Sequence, residues 1–239
     1  MELKDFWEKP AQSKWLESDL NKEMMDDLVE WFSGWEGSEL EVLDVGSGAG
    51  RLFTKLSEVK ANVDISMVDW SEYGRNMCLE NTGYKPDKWD GLTLPYNDDS
   101  FDIVVLSNFL LHVRPRHLVQ IVNEVLRVAR QLVYFNLTTW DDAKYDGKSW
   151  CFSHNSVTEV LPGYATVLWD RRYTPKNPKF TISAFIVDIT DATKEEVVED
   201  DIQSQFGEDD GDSGELDSSS SDESTLPDDS EVGRDTLIP

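Results

Sequence analysis

The chain has 239 residues and a formal net charge of −26 at pH 7, from 48 acidic and 22 basic side chains. That acidity excludes a surface made for unaided binding to nucleic acid phosphates. Residues 191–239 hold 18 acidic and 2 basic side chains, so the charge is mostly a tail, and residues 1–190 are enough for one domain with a single core.

In chain order, Leu20, Met24, Met25, Leu28, Trp31 and Phe32 recur at helical spacing, with Ser18 as a cap and Gly34 just past the end, which predicts an amphipathic helix. Leu40–Val45 is short and β-branched and breaks into Gly46-Ser47-Gly48-Ala49-Gly50. Leu52, Phe53, Leu56 and Val59 then resume a helical pattern. The unit repeats: Ile65–Asp69 forms a strand, and Ser71 caps a helix carrying Met77, Cys78 and Leu79.

Phe101–Leu106 is almost continuously apolar, as expected of a central strand covered on both faces. Leu118, Ile121, Val122, Val125 and Leu126 mark another helix, and Leu132–Phe135 another strand. Alternating strands and helices demand parallel crossovers.

Past Trp140 the pattern changes. A short helix around Val157–Leu161 precedes Ala165–Trp169 and Phe180–Val187, two strands without an intervening helix and hence an antiparallel pair. Arg171–Lys179 is the connecting loop, with Arg171, Arg172, Lys176 and Lys179 suited to an anionic acceptor, to the acidic tail, or to a plain solvated hairpin tip. Beyond Asp191 the chain has too little apolar material to offset its ordering entropy, and disorder is expected.

Cys78 and Cys151 are the only cysteines, too few for a disulfide framework or a thiolate cluster, so no metal site is predicted. The start lacks a basic segment followed by an apolar run, and no window approaches the length of a membrane span. A cytoplasmic protein is the expectation.

The glycine turn sits at a strand end, where a ligand can approach the backbone. The dinucleotide fingerprint would put its third glycine at position 51, which is Arg51, so the spacing disfavours a nicotinamide or flavin enzyme. Asp69 closes the second strand 19 residues after Gly50, the place from which a carboxylate accepts both hydroxyls of a ribose.

With these features the sequence resembles the class I S-adenosylmethionine-dependent methyltransferases, in particular the small-molecule-type branch. Four blocks carry the resemblance over about residues 38–136: Val42–Arg51, Val68–Ser71, Trp89–Asp102 and Val105–Val113. It implies an α/β fold, a Rossmann-like, doubly wound, mostly parallel seven-stranded sheet with an antiparallel C-terminal strand pair. The expected domain is 1–190, made of an N-terminal helical cap (1–37), a cofactor-binding core (38–136) and a C-terminal part (137–190), with an acidic disordered tail at 191–239.

The resemblance further implies S-adenosyl-L-methionine as cofactor. Asp44, Gly46, Ser47 and Gly48 would hold its amino-acid end and Asp69 its ribose. Trp70 would pack on adenine, Asp90 and Gly91 would meet the adenine nitrogens, and Ser107 and Asn108 would lie near the methionine moiety. Two departures stand out. Arg127–Gln131 replaces the family's Pro-Gly-Gly turn before the fifth strand, and Asn108-Phe109-Leu110-Leu111 replaces the Asn-Pro-Pro-Tyr type of motif, which counts against amino methylation of DNA bases.

Methyl transfer from a sulfonium asks mainly for alignment and exclusion of water. His112 is the one candidate base in the matched blocks, though capping or packing at a strand-to-helix junction is the favoured reading of it. Trp7, Trp15, Trp31, Trp35, Trp140 and Trp150 suit an acceptor pocket or a packed lid, with Trp140 the candidate beside the reaction. The expected acceptor is a small molecule or a protein. The alternative is a catalytically silent cofactor-binding module whose acidic tail engages a basic partner.

Overall fold

The computed structural model describes residues 19–35, 39–59, 62–139, 144–145, 150–152, 158–174 and 181–190. The Ser18 cap, Trp7, Trp15, Trp140 and the tail lie outside them. Helix α1 (Asp19–Ser33) turns Met24, Met25, Leu28, Val29 and Phe32 into the core. It ends at Gly34, whose N–H donates to the Glu30 carbonyl oxygen at 3.1 Å.

Strand β1 (Leu40–Val45) leads through the glycine turn to α2 (Arg51–Val59), and β2 (Val63–Asp69) leads to α3 (Glu72–Thr82). Ser71 caps α3 as expected, its Oγ accepting the Gly74 N–H at 3.0 Å. Then follow β3 (Asp87–Lys88), β4 (Phe101–Leu106), a 3-10 turn (Leu110–His112), α4 (Pro115–Val128) and β5 (Ala129–Thr139). β6 (Lys144–Tyr145) and β7 (Trp150–Cys151) form a separate ribbon, and β8 (Thr166–Tyr173) and β9 (Thr181–Asp188) complete the main sheet.

The seven strands lie in the order β3-β2-β1-β4-β5-β9-β8. β1 to β5 are mutually parallel, while β9 runs antiparallel to both β5 and β8. β4 is the middle strand, buried on both faces as its composition predicts. α1 and α2 cover one face, with Leu52 and Leu56 packing near Val42, Ile103 and Val105. α4 covers the other through Leu118, Ile121, Val122 and Val125. This is the doubly wound, Rossmann-like architecture, and its crossovers change sides between β1 and β4, where ligands bind in such sheets.

Two local expectations are corrected. β5 continues past Phe135 to Thr139, because Asn136, Leu137, Thr138 and Thr139 pair with Ala184, Ser183, Ile182 and Thr181 of β9. Arg171 and Arg172 belong to β8 rather than to a loop. Of the predicted helix at Val157–Leu161, Thr158 and Glu159 are helical and Val157 lies outside the described residues.

α4 passes into β5 at Ala129 without a connecting turn. Two arginines do the work of the missing turn. Arg130 bonds Glu41, Asp102 (2.8 Å) and the Asp99 carbonyl oxygen (2.6 Å), and Arg127 bonds Glu124 and Asp98 (2.9 and 2.7 Å) and the carbonyls of Leu94 and Tyr96. They staple the connection before β4 at the end of the sheet away from the crevice. Among the described residues no helix is long and apolar enough to cross a membrane, and no group of three or more His, Cys, Asp or Glu is placed to hold a metal.

Candidate functional site

Asp44 lies within β1 beside Met67 of β2 and Val105 of β4, and Asp69 is the last residue of β2. Both are buried, at 3% and 5% exposure. The Asp69 carboxylate spans two turns: Oδ2 accepts the Gly48 N–H at 2.8 Å and Oδ1 the Ser71 N–H at 2.7 Å. Burial, and then the neighbouring Asp69, push the Asp44 carboxyl up to about 7, since a desolvated carboxylate beside another carries two penalties.

The glycines differ in what they face. Gly46 (φ 74°) has Phe109 against it, and a Cβ at Gly50 (φ 79°) would fall 2.6 Å from Cys78 Sγ. At Gly48 (φ 53°) a Cβ would meet nothing within 4 Å. The first two glycines are needed by packing and the third borders open space. Beside it, Ser47 Oγ is shielded from solvent with no hydrogen-bond partner among the described residues.

Across the switch point, Ser107 and Asn108 follow the end of β4. Asn108 takes φ 58°, and its N–H donates to Asn136 Oδ1 at 2.7 Å. Fully buried Asn136 of β5 also donates through Nδ2 to Tyr134 Oη (3.3 Å) and Ser107 Oγ (3.4 Å). Asn108 Nδ2 donates to Asn21 Oδ1 of α1 at 3.3 Å. Asn108 Oδ1 is shielded and has no partner among the described residues, a costly state for a carbonyl oxygen that a ligand donor would relieve.

The third block reaches the same corner. The Trp89 N–H donates to the Asp69 carbonyl oxygen (3.3 Å), and its ring lies 5.1 Å from that of Phe109. Asp90 is exposed, and Oδ1 accepts the N–H groups of Leu92 and Thr93 (2.8 and 2.9 Å), which hold its carboxyl below the usual range. Gly91 has φ 95°. Trp70 is half-buried, and His112 ends the 3-10 turn with both ring nitrogens shielded from solvent.

Asp44, Gly46, Ser47, Gly48 and Asp69 thus gather at one strand-end corner, with Ser107 and Asn108 just past the end of the adjoining strand β4. Trp140 lies outside the described residues. Three site residues were missed. Arg75 is buried and its Nη1 donates to the carbonyls of Asp69 and Trp70 (3.0 and 2.9 Å), which fixes the turn carrying the carboxylate. Asn136 and Asn21 were legible as polar residues set in apolar patterns, one within the strand around Tyr134–Leu137 and one on the stripe of Met24, Met25 and Leu28.

Residues 43–135 match the family model of a methyltransferase domain. Among solved structures, the chain is similar to magnesium protoporphyrin IX methyltransferase (ChlM) from Synechocystis PCC 6803 with bound SAM, at 14% identity over 78% of this chain and 94% of that one, with a TM-score of 0.63. A SAM-dependent methyltransferase from Aquifex aeolicus aligns at 20% identity over 76% and 98% with a TM-score of 0.54. The [4+2]-cyclase SpnF aligns at 14% over 68% and 80% with a TM-score of 0.57. A search of curated proteins found no match. The chain thus shares its fold with these structures, and the part that matches the methyltransferase-domain model, residues 43–135, spans the four sequence blocks from Leu43 onward.

Proposed function

We propose that the chain is an S-adenosylmethionine-dependent methyltransferase acting on a small-molecule or protein acceptor. The observation that carries this reading is the buried Asp69 carboxylate bonded to the Gly48 N–H at the rim of a glycine turn with room for a ligand. The chemistry of the donor set fits the cofactor. The Asp69 carboxylate is the kind of acceptor a ribose diol takes, and Trp70, Asp90 and Gly91 offer an aromatic face and polar groups to adenine. Asp44, Gly46, Ser47 and Gly48 suit a zwitterionic amino-acid end, with Ser107 and Asn108 beside it. The unpartnered Ser47 Oγ and Asn108 Oδ1 are the orphans such a ligand would satisfy.

When bound, S-adenosylmethionine supplies a methyl group already activated by a sulfonium. The protein's share is then to bind, orient and keep out water. Asp69, Ser47 and Asn108 would hold the nucleoside and its tail from three strand ends, and the Phe109–Trp89 pair packs behind Gly46. His112 is the residue assigned to hold a proton where the acceptor has one to lose.

A labelled-methyl assay with cell extract tests this reading. Label should pass to an acceptor with the wild type and fall at least tenfold with Asp69→Ala, about the loss expected from one hydrogen bond to a charged acceptor. Tight cofactor binding with no labelled acceptor would instead make the chain a silent cofactor-binding module.

A further inference from the structure

Helix α1 is tied to the rest of the domain at two places. At the crevice, Asn21, buried with the core-facing residues of the helix, accepts the Asn108 Nδ2–H bond. At the far edge of the sheet, Arg171 of β8 grips two carboxylates one turn apart on α1: Nη2 lies 3.0 Å from Glu23 and Nη1 2.6 Å from Asp27. Asp27 also accepts the hydroxyl of Tyr173, and the Arg171 guanidinium carbon sits 5.0 Å from the Tyr173 ring centroid.

An exposed ion pair contributes little by itself. Here, however, the planar guanidinium engages residues i and i+4 of one helix at once, while Tyr173 engages one of them from beneath. Such a grip opposes rotation of α1 about its axis, a motion that would carry Asn21 away from Asn108. The Asn108 backbone is held separately by Asn136, so α1 is the movable partner of the two.

We propose that Arg171 is a positioning residue for the crevice, acting through Glu23 and Asp27 to seat Asn21 against Asn108. The inference rests on the methyltransferase reading, in which Asn108 adjoins the methionine end of the cofactor. Arg171 touches neither cofactor nor acceptor. Its effect is to keep the side-chain amide of Asn108 turned so that Oδ1 remains available to the ligand.

The test uses the full chain and four variants: Arg171→Gln, Arg171→Lys, Asn21→Ala, and the double variant Arg171→Gln/Asn21→Ala. S-adenosylhomocysteine affinity is measured by calorimetry and the amide exchange of α1 by mass spectrometry. Arg171→Gln should weaken binding by roughly three- to tenfold, the usual range for such indirect coupling, and speed exchange in α1. Arg171→Lys, which keeps the charge but grips one carboxylate, should recover part of the affinity. In the Asn21→Ala background, Arg171→Gln should change affinity less than about twofold, as expected when two residues act through one contact.

Wild-type binding with unchanged affinity in Arg171→Gln, or full multiplication of the two losses in the double variant, would overturn the inference and leave the methyltransferase reading intact. Failure of the wild type to bind would remove that reading and the inference with it.

Discussion

Asp69 and Gly48 are joined across the ends of two neighbouring strands by a 2.8 Å hydrogen bond from the Gly48 N–H to the Asp69 carboxylate. The bond fixes the glycine turn over the end of β2 and sets the carboxylate beside the open Gly48 position. One side chain therefore shapes the crevice and offers it an acceptor. Changes at this corner separate into those that harm the fold and those that harm the ligand.

Glycine substitutions make that separation. Gly48→Ala costs the strain of a left-handed residue, about 1–2 kcal/mol, with no clash; the added methyl faces the crevice. Gly50→Ala adds the same strain and drives a Cβ to 2.6 Å from Cys78 Sγ and 2.7 Å from Thr82 Cγ2, an overpacking cost of roughly 1–3 kcal/mol more. Urea denaturation should find Gly50→Ala the less stable of the two. Calorimetry should find Gly48→Ala the weaker binder of S-adenosylhomocysteine for its stability. Equal stability losses would refute the assignment of Gly50 to packing.

Arg75 spends Nη1 on two carbonyls of the Asp69–Trp70 turn. Arg75→Met keeps the apolar stem, takes this donor from the Trp70 carbonyl oxygen and leaves the Asp69 carbonyl oxygen with the Trp89 backbone N–H, at about 1–3 kcal/mol, which lowers Tm by several degrees in a domain of this size. Cofactor affinity should fall with it, because the turn holds Asp69. Thermal melts and calorimetry on the same preparation check both; a Tm loss with full affinity would confine Arg75 to stability.

The Asp44 carboxyl has an ordinary value of 3.8 and is pushed up to about 7 in the fold, chiefly by burial. The folded state thus holds a proton that the unfolded chain has released. Asp44's contribution to stability is full below the ordinary value and falls as pH rises toward about 7. Asp44→Asn should flatten this part of the pH–stability curve, seen as a smaller difference in Tm between pH 5 and pH 7.5 than in the wild type. If Asp44 meets the cofactor's ammonium, wild-type affinity should rise over the interval from pH 6 to pH 8 and that of Asp44→Asn should not. Parallel curves for the two proteins would contradict the prediction.

Much of the sheet was legible because its signals are local. The continuous apolar run of Phe101–Leu106 placed β4 at the centre, Asp69 and Ser71 marked a strand end and a helix cap, and the two helix-free runs after Trp140 made the antiparallel pair. The errors came from partners distant in sequence. Arg171 looks like a loop residue until Glu23, 148 positions away, is set beside it. Thr138 and Thr139 extend β5 because β9 supplies their partners. Asn136 is polar within an apolar strand because Ser107, Asn108 and Tyr134 converge on it.

The central claim is that Asp69 and the glycine turn hold opposite parts of one sulfonium nucleoside. Calorimetric titration of the full chain and of Asp69→Ala with S-adenosylmethionine, S-adenosylhomocysteine and NAD tests it most directly. The account predicts one-to-one binding of the first two by the wild type, a loss of about ten- to a hundredfold in Asp69→Ala from the missing charged acceptor, and no binding of NAD. Binding of NAD alone, or unaltered S-adenosylhomocysteine affinity in a folded Asp69→Ala, would contradict it.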